Sequence, residues 1–198
     1  MNELDFEAVK HYILTRLARE LPDDLPYHGL HHTRDDVLPA AERLGKLSGL
    51  NGEDFLLLQT AALYHDVGYI EQYACNEPVG ARIAEETLPG FGYSSVQIEA
   101  IRAAILATQM PQAPRTALDQ LMCDADLDSL GRDDYLKTSH DLRDELAAHG
   151  TVIPLKTWYE RQWEFLSGHT YFTEAARKLR RAKKLENVAL LESLLNKM

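Results

Sequence analysis

Three separated segments of the chain carry histidine and aspartate side chains of the kind that bind divalent metal ions. They are His28, His31 and His32 in the first segment, His65 and Asp66 in the second, and Asp124, Asp126 and Asp128 in the third. Two histidine nitrogens and two carboxylates make a ligand set suited to Mn, Fe, Co, Ni, Zn or Mg. A buried carboxylate is costly unless a positive or hydrogen-bonding group meets it, and a divalent ion supplies that charge. The pattern therefore indicates a divalent-metal site.

The pair His65–Asp66 follows an apolar run over residues 55–63, which predicts a buried helix. Neighbours on a helix point about 100° apart, so both side chains can reach one ion that lies off the helix. The alternative is a plain helix end, at which Gly68 stops the helix and Asp66 accepts hydrogen bonds from loop amides.

The other two segments also leave alternatives open. His28 and His32 are four residues apart, so both would face one site if their segment is helical. The aspartate run resembles the start of a calcium-binding loop, but it lacks the required glycine and glutamate at their offsets. Asp124 and Asp128 are instead interpreted as capping or supporting groups, with Asp128 orienting a ligand histidine. His31 is interpreted as a surface neighbour.

Apolar residues recur at helical spacing along the chain, and no stretch alternates in the manner of a β-strand. The predicted helices run over residues 6–21, 37–48, 53–66, 79–88, 95–108, 132–149, 154–168 and 173–195. The fifth helix is expected to start at Ser94 or Ser95, with Ser95 in a position to cap it. Its apolar stripe is expected to consist of Val96, Ile98, Ile101, Ile105 and Leu106. Leu179 and Leu185 are expected to face inward from the last helix. The sequence therefore predicts an all-α, single-domain bundle of about eight or nine helices over residues 1–198.

Composition and charge describe a chain that fits one domain with a sizeable core. It has 198 residues, of which 45% are hydrophobic and 26% charged, as is ordinary for a globular protein. The formal net charge of -10 disfavours non-specific binding to nucleic acid or to an anionic membrane surface.

Cys75 and Cys123 lie outside any CxxC or CxxH pattern, which argues against a disulfide framework or a zinc–thiolate site. The acidic N-terminus and the lack of about 20 consecutive apolar residues predict a soluble, cytoplasmic protein.

The order His, then His-Asp, then Asp resembles that of the HD-domain metal-dependent phosphohydrolase superfamily. Tyr27-His28-x-x-x-His32 resembles the Tyr-His-Asn-x-x-His segment of its cyclic-nucleotide phosphodiesterases, and Asp124-Ala125-Asp126-Leu127-x-x-Leu130-Gly131 is similar to small bacterial members. The resemblance covers residues 25–135, and the helices of residues 136–198 are expected to pack on that HD core. Carried over position by position, it implies the metal ligands His32, His65, Asp66 and Asp126.

The sequence departs from the family pattern at two places. Gly29 stands where the phosphodiesterase segment has an asparagine. No histidine lies between Asp66 and Asp126, whereas two-metal members commonly have further histidines there. The chain is therefore expected to bind one divalent ion, the alternative being a second ion held loosely by carboxylates and water.

The resemblance implies hydrolysis of a phosphate ester of a small nucleotide or phosphorylated metabolite by metal-activated water. On that interpretation His28 protonates the leaving oxygen, and Asp66 both binds the ion and orients the water. The alternative is a catalytically silent metal-binding module used in sensing or interaction. A small phosphorylated substrate is thus the expected partner, without nucleic acid or membrane, and exposed Trp and Tyr residues of the C-terminal part would indicate a homodimer.

A few further polar residues are open to interpretation. Asn76 and Glu77 follow the His-Asp pair closely enough to bind substrate or water. The basic residues within 177–184 are interpreted as a solvated helix face rather than a phosphate-binding cluster. His169 is interpreted as a packed residue rather than a reactive one.

Overall fold

A computed structural model describes residues 4–198, which form nine α-helices and contain no β-strand. The helices are α1 (Phe6–Glu20), α2 (Leu38–Leu47), α3 (Gly52–Tyr64), α4 (Asn76–Thr87), α5 (Ser95–Ala107), α6 (Ala117–Asp126), α7 (Tyr135–Ala148), α8 (Leu155–Gly168) and α9 (Glu174–Leu195). A π-helix at His32–Val37 leads into α2, and 3-10 helices lie at Val67–Ile70, Leu88–Phe91 and Asp128–Gly131. The predicted all-α architecture is confirmed. None of these helices combines the length and the apolar composition needed to cross a membrane.

The centre of the bundle is α3, whose residues from Leu57 to Tyr64 are all buried. A helix buried on every side needs neighbours around it, and α3 contacts α1, α2, α5 and α6. Because α3 ends inside the protein, the two residues that follow it, His65 and Asp66, are only 1% and 8% exposed. The apolar run thus delivers the His-Asp pair into the interior.

The start of α5 is capped by Ser94, so the predicted cap at Ser95 is wrong. The Ser94 hydroxyl accepts a hydrogen bond from the Gln97 amide, and the Gln97 side chain accepts one from the Ser94 N–H at 2.7 Å. Val96 and Leu106 are 78% and 40% exposed, so they do not belong to the inner face as predicted. Ile98, Ile101 and Ile105 are buried as predicted, so the predicted inner face is wrong only at its two edges.

The helix α6 has no counterpart among the predicted helices. Its start carries a capping box, in which Asp119 accepts from the Thr116 N–H at 3.0 Å and Thr116 Oγ1 accepts from the Asp119 N–H at 3.1 Å. A Thr-x-x-Asp spacing before an apolar run is a recognisable helix-start signal, and it was available in the sequence. The end of α6 matters for function because it carries Asp126.

Polar side chains fasten the last helix to the bundle. Asp124 supports the start of α9, in line with one of its two predicted roles: its carboxylate accepts from the backbone amides of Phe172 and Thr173, both at 2.8 Å, while Thr173 itself is the N-cap. Lys184 is buried on α9, and its ammonium donates to two backbone carbonyls in and just after the last turn of α8. Arg180 also points inward, onto a buried aspartate. The interpretation of residues 177–184 as a solvated face is therefore wrong for these two side chains.

The inner face of α9 is less apolar than the sequence suggested. Leu179 and Leu185 are 36% and 55% exposed, so their predicted inward orientation is wrong. Asn187 is buried instead and donates to the carbonyl oxygens of Leu130 and Arg132, both at 3.0 Å. Partnered polar groups thus take inner positions that a purely hydrophobic pattern assigns to leucine.

Aromatic residues in and after α8 belong to the core. Trp158, Tyr159 and Tyr171 are 2%, 5% and 2% exposed. They contribute to the same hydrophobic cluster as the inner residues of α3 and α5. The expected homodimer rested on aromatic exposure that these three residues do not have, and it stays a prediction without that support.

Candidate metal centre and adjoining cavity

The four predicted metal ligands meet in the interior of the protein. His65 and Asp66 follow α3 directly, while Asp126 is the last residue of α6. His32 begins the π-helix, a rare geometry that is frequent at functional sites. The His32 Nε2 atom lies 3.4 Å from Asp126 Oδ1 and 3.6 Å from Asp66 Oδ2. The His65 Nε2 atom lies 3.0 Å from Asp66 Oδ2 and 3.6 Å from Asp126 Oδ1.

Three of the atoms that face one another are buried and lack a hydrogen-bond partner among residues 4–198. They are His32 Nε2, His65 Nε2 and Asp66 Oδ2, and suitable ligand atoms of these residues lie within 4.8 Å of one another. Buried polar atoms in folded proteins almost always have partners, so three orphaned atoms at one point require an explanation. One divalent ion would satisfy all three, and this donor set fits such an ion.

Two neighbouring groups orient the ligands. The Nδ1 atom of His65 donates to the carbonyl oxygen of Ala62 at 2.9 Å, which leaves the lone pair on Nε2 directed at the cluster. Asn76, the first residue of α4, donates from Nδ2 to Asp66 Oδ1 at 3.1 Å, so Asp66 Oδ2 is the oxygen left for an ion. Asn76 was predicted to bind substrate or water, but it holds a predicted ligand in place.

The charges of the cluster attract a proton or a cation. Burial alone lowers the pKa of His65, but the neighbouring carboxylates of Asp66 and Asp126 raise it to about 9. Burial alone raises the pKa of Asp66, but the charge of His65 holds it well below the ordinary value. A metal ion competes with the proton for the same nitrogen, because a histidine must be neutral to bind an ion.

A second histidine–carboxylate pair lies beside the cluster. His28 Nδ1 is 2.5 Å from Glu145 Oε1, and Glu145 Oε2 accepts from the backbone amides of Tyr27 and His28 at 2.9 and 2.8 Å. Tyr73 adds a hydroxyl hydrogen bond to Glu145 Oε1 at 3.2 Å. Glu145 is fully buried, and its charge raises the pKa of His28 although burial alone lowers it.

His28 does not share a helix with His32, so the helical condition under which both would face one site is not met. It lies in a bend, and helical structure begins only at Leu30. The two imidazoles nevertheless approach each other, with ring centroids 5.7 Å apart. The ring of Tyr69 stacks on His28 at 4.6 Å and, together with Glu145, fixes the plane of the imidazole. No sequence pattern predicts a role for Glu145, because it lies in a polar helix without any motif, 117 residues after His28.

A cavity of about 400 Å³ adjoins both groups. His28, Asp66 and Asp126 line it, so the metal cluster and the second histidine face the same space. Glu77 lines it too, with Oε2 buried and lacking a hydrogen-bond partner in the described chain, and burial raises the pKa of this carboxyl. The rest of the lining comes largely from α7 and α8, including Leu142, Leu146, Phe165 and Gln162. The cavity has the size and mixed lining of a small-ligand site.

No protein-family model matches the sequence, and no curated protein matches it either. Solved structures do match. A protein from an uncultured Thermotogales bacterium, described as a predicted HD superfamily hydrolase, is 20% identical with a TM-score of 0.65, over 94% of this chain and 91% of that one. The chain shares the fold of that protein. YpgQ from Bacillus subtilis, solved in complex with ADP, is 15% identical with a TM-score of 0.68, over 98% and 94% of the two chains. A protein from Lactobacillus plantarum is 18% identical with a TM-score of 0.66, over 98% and 97%.

The likeness to these three structures spans 94–98% of the chain. It confirms the expected HD-type fold. Sequence identities of 15–20% show a shared fold and no more. The chemistry of the site must therefore be inferred from the side chains that this chain itself brings together.

Within this HD fold, other residues with a predicted role take different places. Asp128 does not orient a ligand histidine: it pairs with Arg43 at 2.9 Å and with Arg180 at 2.7 Å, which corrects the earlier interpretation. His31 is exposed, as expected of a surface neighbour. His169 packs edge-on against Tyr171 with ring centroids 4.7 Å apart, which agrees with a packed rather than reactive side chain.

Proposed function

We propose that the chain is a metal-dependent phosphohydrolase that cleaves a phosphate ester of a small nucleotide or another phosphorylated metabolite. The observation that carries this proposal is the set of three orphaned atoms on His32, His65 and Asp66, beside a cavity of ligand size. Asp126 completes the ligand set at 3.4 Å from His32.

The ligand residues are held before any ion binds. When bound, a divalent ion acidifies water and polarises a phosphate oxygen. The Ala62 carbonyl directs His65, and Asn76 directs Asp66, so little reorganisation accompanies binding. Asp66 and Asp126 also line the cavity, which leaves the site accessible to a substrate. This access favours an enzyme over the silent sensing module, for which a sealed ion would suffice.

His28 is the proposed proton donor to the leaving oxygen. Glu145 occupies Nδ1, so Nε2 is the nitrogen left to give up a proton. The raised pKa of His28 favours the protonated imidazole, which a general acid needs in the resting enzyme. Glu145 acts through His28 and is therefore a positioning residue.

The charge of the cavity supports a metal requirement. Asp66, Asp126 and Glu77 line the space that a phosphate would enter, and three carboxylates repel an anion unless a cation lies between them. A nucleotide is favoured over a smaller metabolite because α7 and α8 give the cavity a large apolar wall next to this acidic part. The bound ADP in the YpgQ structure, which shares the fold, agrees with that substrate class.

The proposal is tested by metal analysis of the purified protein together with a hydrolysis screen. The screen offers phosphomonoesters, phosphodiesters and nucleotides with added Mn, Co, Ni, Zn or Mg, for the wild type and for Asp66→Ala. We expect about one ion per chain and metal-dependent turnover, both lost in the variant. A bound ion without turnover on any phosphate ester would favour the sensing module, and a protein that binds no ion would refute both.

A further inference from the structure

The α7–α8 side of the cavity contains several polar side chains, but most of them are engaged with the protein. The Thr138 hydroxyl donates to the backbone carbonyl of Tyr135 at 2.9 Å. The Ser139 oxygen accepts from the indole N–H of Trp158 at 3.0 Å. The Tyr135 hydroxyl donates to Gln162 Oε1 at 2.9 Å. What remains on this side is the amide nitrogen of Gln162, which makes no hydrogen bond with residues 4–198.

The chemical nature of the atoms identifies the donor and the acceptor in two of these hydrogen bonds. An indole N–H can only donate, so Ser139 must accept from Trp158 and has its own proton free. The Tyr135 hydroxyl lies 2.9 Å from Gln162 Oε1, and an amide oxygen can only accept, so the phenol donates its proton to Gln162.

The hydrogen bond from Tyr135 defines how the Gln162 amide is turned. With Oε1 accepting from Tyr135, Nε2 and its two N–H groups are left for the cavity. The neighbouring wall of Leu142, Leu146 and Phe165 offers no competing polar group. The α7–α8 side therefore presents hydrogen-bond donors, without a free acceptor from Gln162, in a largely apolar setting.

We propose that this side of the cavity binds the base of a nucleotide and that Gln162 selects bases with a carbonyl oxygen. A 6-oxopurine or a 4-oxopyrimidine offers an acceptor to the two N–H groups, whereas the amino group of adenine meets them with another donor. The apolar wall covers the ring faces. This proposal deepens the proposed function and rests on it, because it assigns the substrate class of the same cavity.

The test measures binding of three nucleosides, inosine, adenosine and purine riboside, by titration calorimetry. They differ in having an oxygen, an amino group or hydrogen at the same ring position. We expect the wild type to bind inosine about tenfold more tightly than the other two, the effect of one satisfied hydrogen bond in a buried site. Gln162→Leu should bind all three alike. Gln120→Leu changes a half-buried glutamine outside the cavity, and it should keep the preference.

A second variant separates base selection from mere packing. Tyr135→Phe removes the donor that occupies Gln162 Oε1, so the amide can turn and offer an oxygen to adenosine. We expect adenosine binding to rise relative to inosine in this variant, whereas a packing defect would weaken all three nucleosides together. Gln162→Glu, which keeps the side-chain size and the acceptor, should lose the inosine preference even if Gln162→Leu folds poorly.

Nucleoside binding needs neither a metal ion nor turnover, so the two proposals can fail separately. An inosine preference without hydrolysis of any phosphate ester would keep the base site and refute the phosphohydrolase. Metal-dependent hydrolysis with equal binding of the three nucleosides, or with no nucleoside binding, would refute the base site alone.

Discussion

Asp126 and Asp128 are two residues apart, yet they stand in opposite electrostatic surroundings. Asp126 ends α6 beside two histidines and another carboxylate, among which atoms remain without partners. Asp128 lies in the next turn and is held by the guanidinium groups of Arg43 and Arg180, at 2.9 and 2.7 Å. One carboxylate thus lies among groups that would attract a cation, and the other lies between two guanidinium cations of the protein itself.

The third aspartate of the run, Asp124, has yet another partner set, the amides at the start of α9. The similarity of this run to a calcium loop is therefore superficial, because its three carboxylates diverge. The contrast also shows that the partner, and not the residue type, separates a candidate ligand from a structural charge. Substituting each aspartate in turn tests this contrast directly.

The largest effect is expected for Asp126→Ala. Loss of this ligand should leave the protein with little bound ion and lower turnover on the order of 10³-fold or more, since the ion supplies several kcal/mol of transition-state stabilisation. Metal analysis and steady-state kinetics on the same preparation measure both quantities. Stability should change little, because the variant also removes a charge from a cluster of orphaned atoms. Retention of the full metal content would break the comparison.

His28 and Glu145 extend the comparison to a histidine–carboxylate pair that is already satisfied. His28→Ala should keep the ion but lower kcat on the order of 10²-fold, the typical contribution of a general acid. Equal losses of metal and turnover would show that His28 is a ligand instead.

Glu145→Gln tests the same histidine–carboxylate pair through the pH dependence of turnover. Burial lowers the pKa of His28, and Glu145 raises it above the ordinary value. A general acid is active below its pKa, so turnover falls as the pH rises through that value. Removing the carboxylate charge lowers the pKa of His28, and the alkaline loss of activity should move to lower pH. A pH–rate profile that is unchanged in Glu145→Gln would contradict the positioning role.

Asp128→Asn should affect stability and leave metal content unchanged. Its carboxylate is 3% exposed between two arginines, and breaking a buried ion pair on one side costs about 3 kcal/mol. Urea unfolding of the wild type and the variant measures this difference. Asp133→Asn is the control, because its carboxylate is 93% exposed and pairs only with Lys183, so we expect a change within about 0.5 kcal/mol.

The sequence singled out the four residues that lie together in the structure because each is tied to a local pattern. His65 and Asp66 are adjacent after an apolar run, and Asp126 and His32 belong to segments that resemble a family. The partner of His28 followed no such pattern, since Glu145 reaches it from another helix with 116 residues between them. Contacts of that kind depend on tertiary packing, which neither periodicity nor spacing reports.

The hydrophobic pattern also assigned some positions of α9 to the wrong side of the helix. In α9 the exposed Leu185 and the buried Lys184 are neighbours, because the lysine ammonium finds two carbonyl acceptors inside. A hydrophobic pattern places leucine inward and lysine outward, and it has no way to register a buried acceptor. The gain from satisfying those carbonyls decided the orientation of this part of the helix.

The smallest effect is expected for Asp124→Asn. Three donors meet this carboxylate, from Phe172 and from the amide and hydroxyl of Thr173. Burial nevertheless raises the pKa of Asp124 above its ordinary value, so the charged form gains less than three hydrogen bonds alone would give. A neutral asparagine keeps one acceptor oxygen, and the loss should be about 1 kcal/mol, that of an ordinary hydrogen bond. Urea unfolding measures it, and metal content should stay at the wild-type level. If Asp124→Asn lost its ion as Asp126→Ala is expected to, the run would act as one metal-binding unit and the contrast between its three aspartates would be wrong.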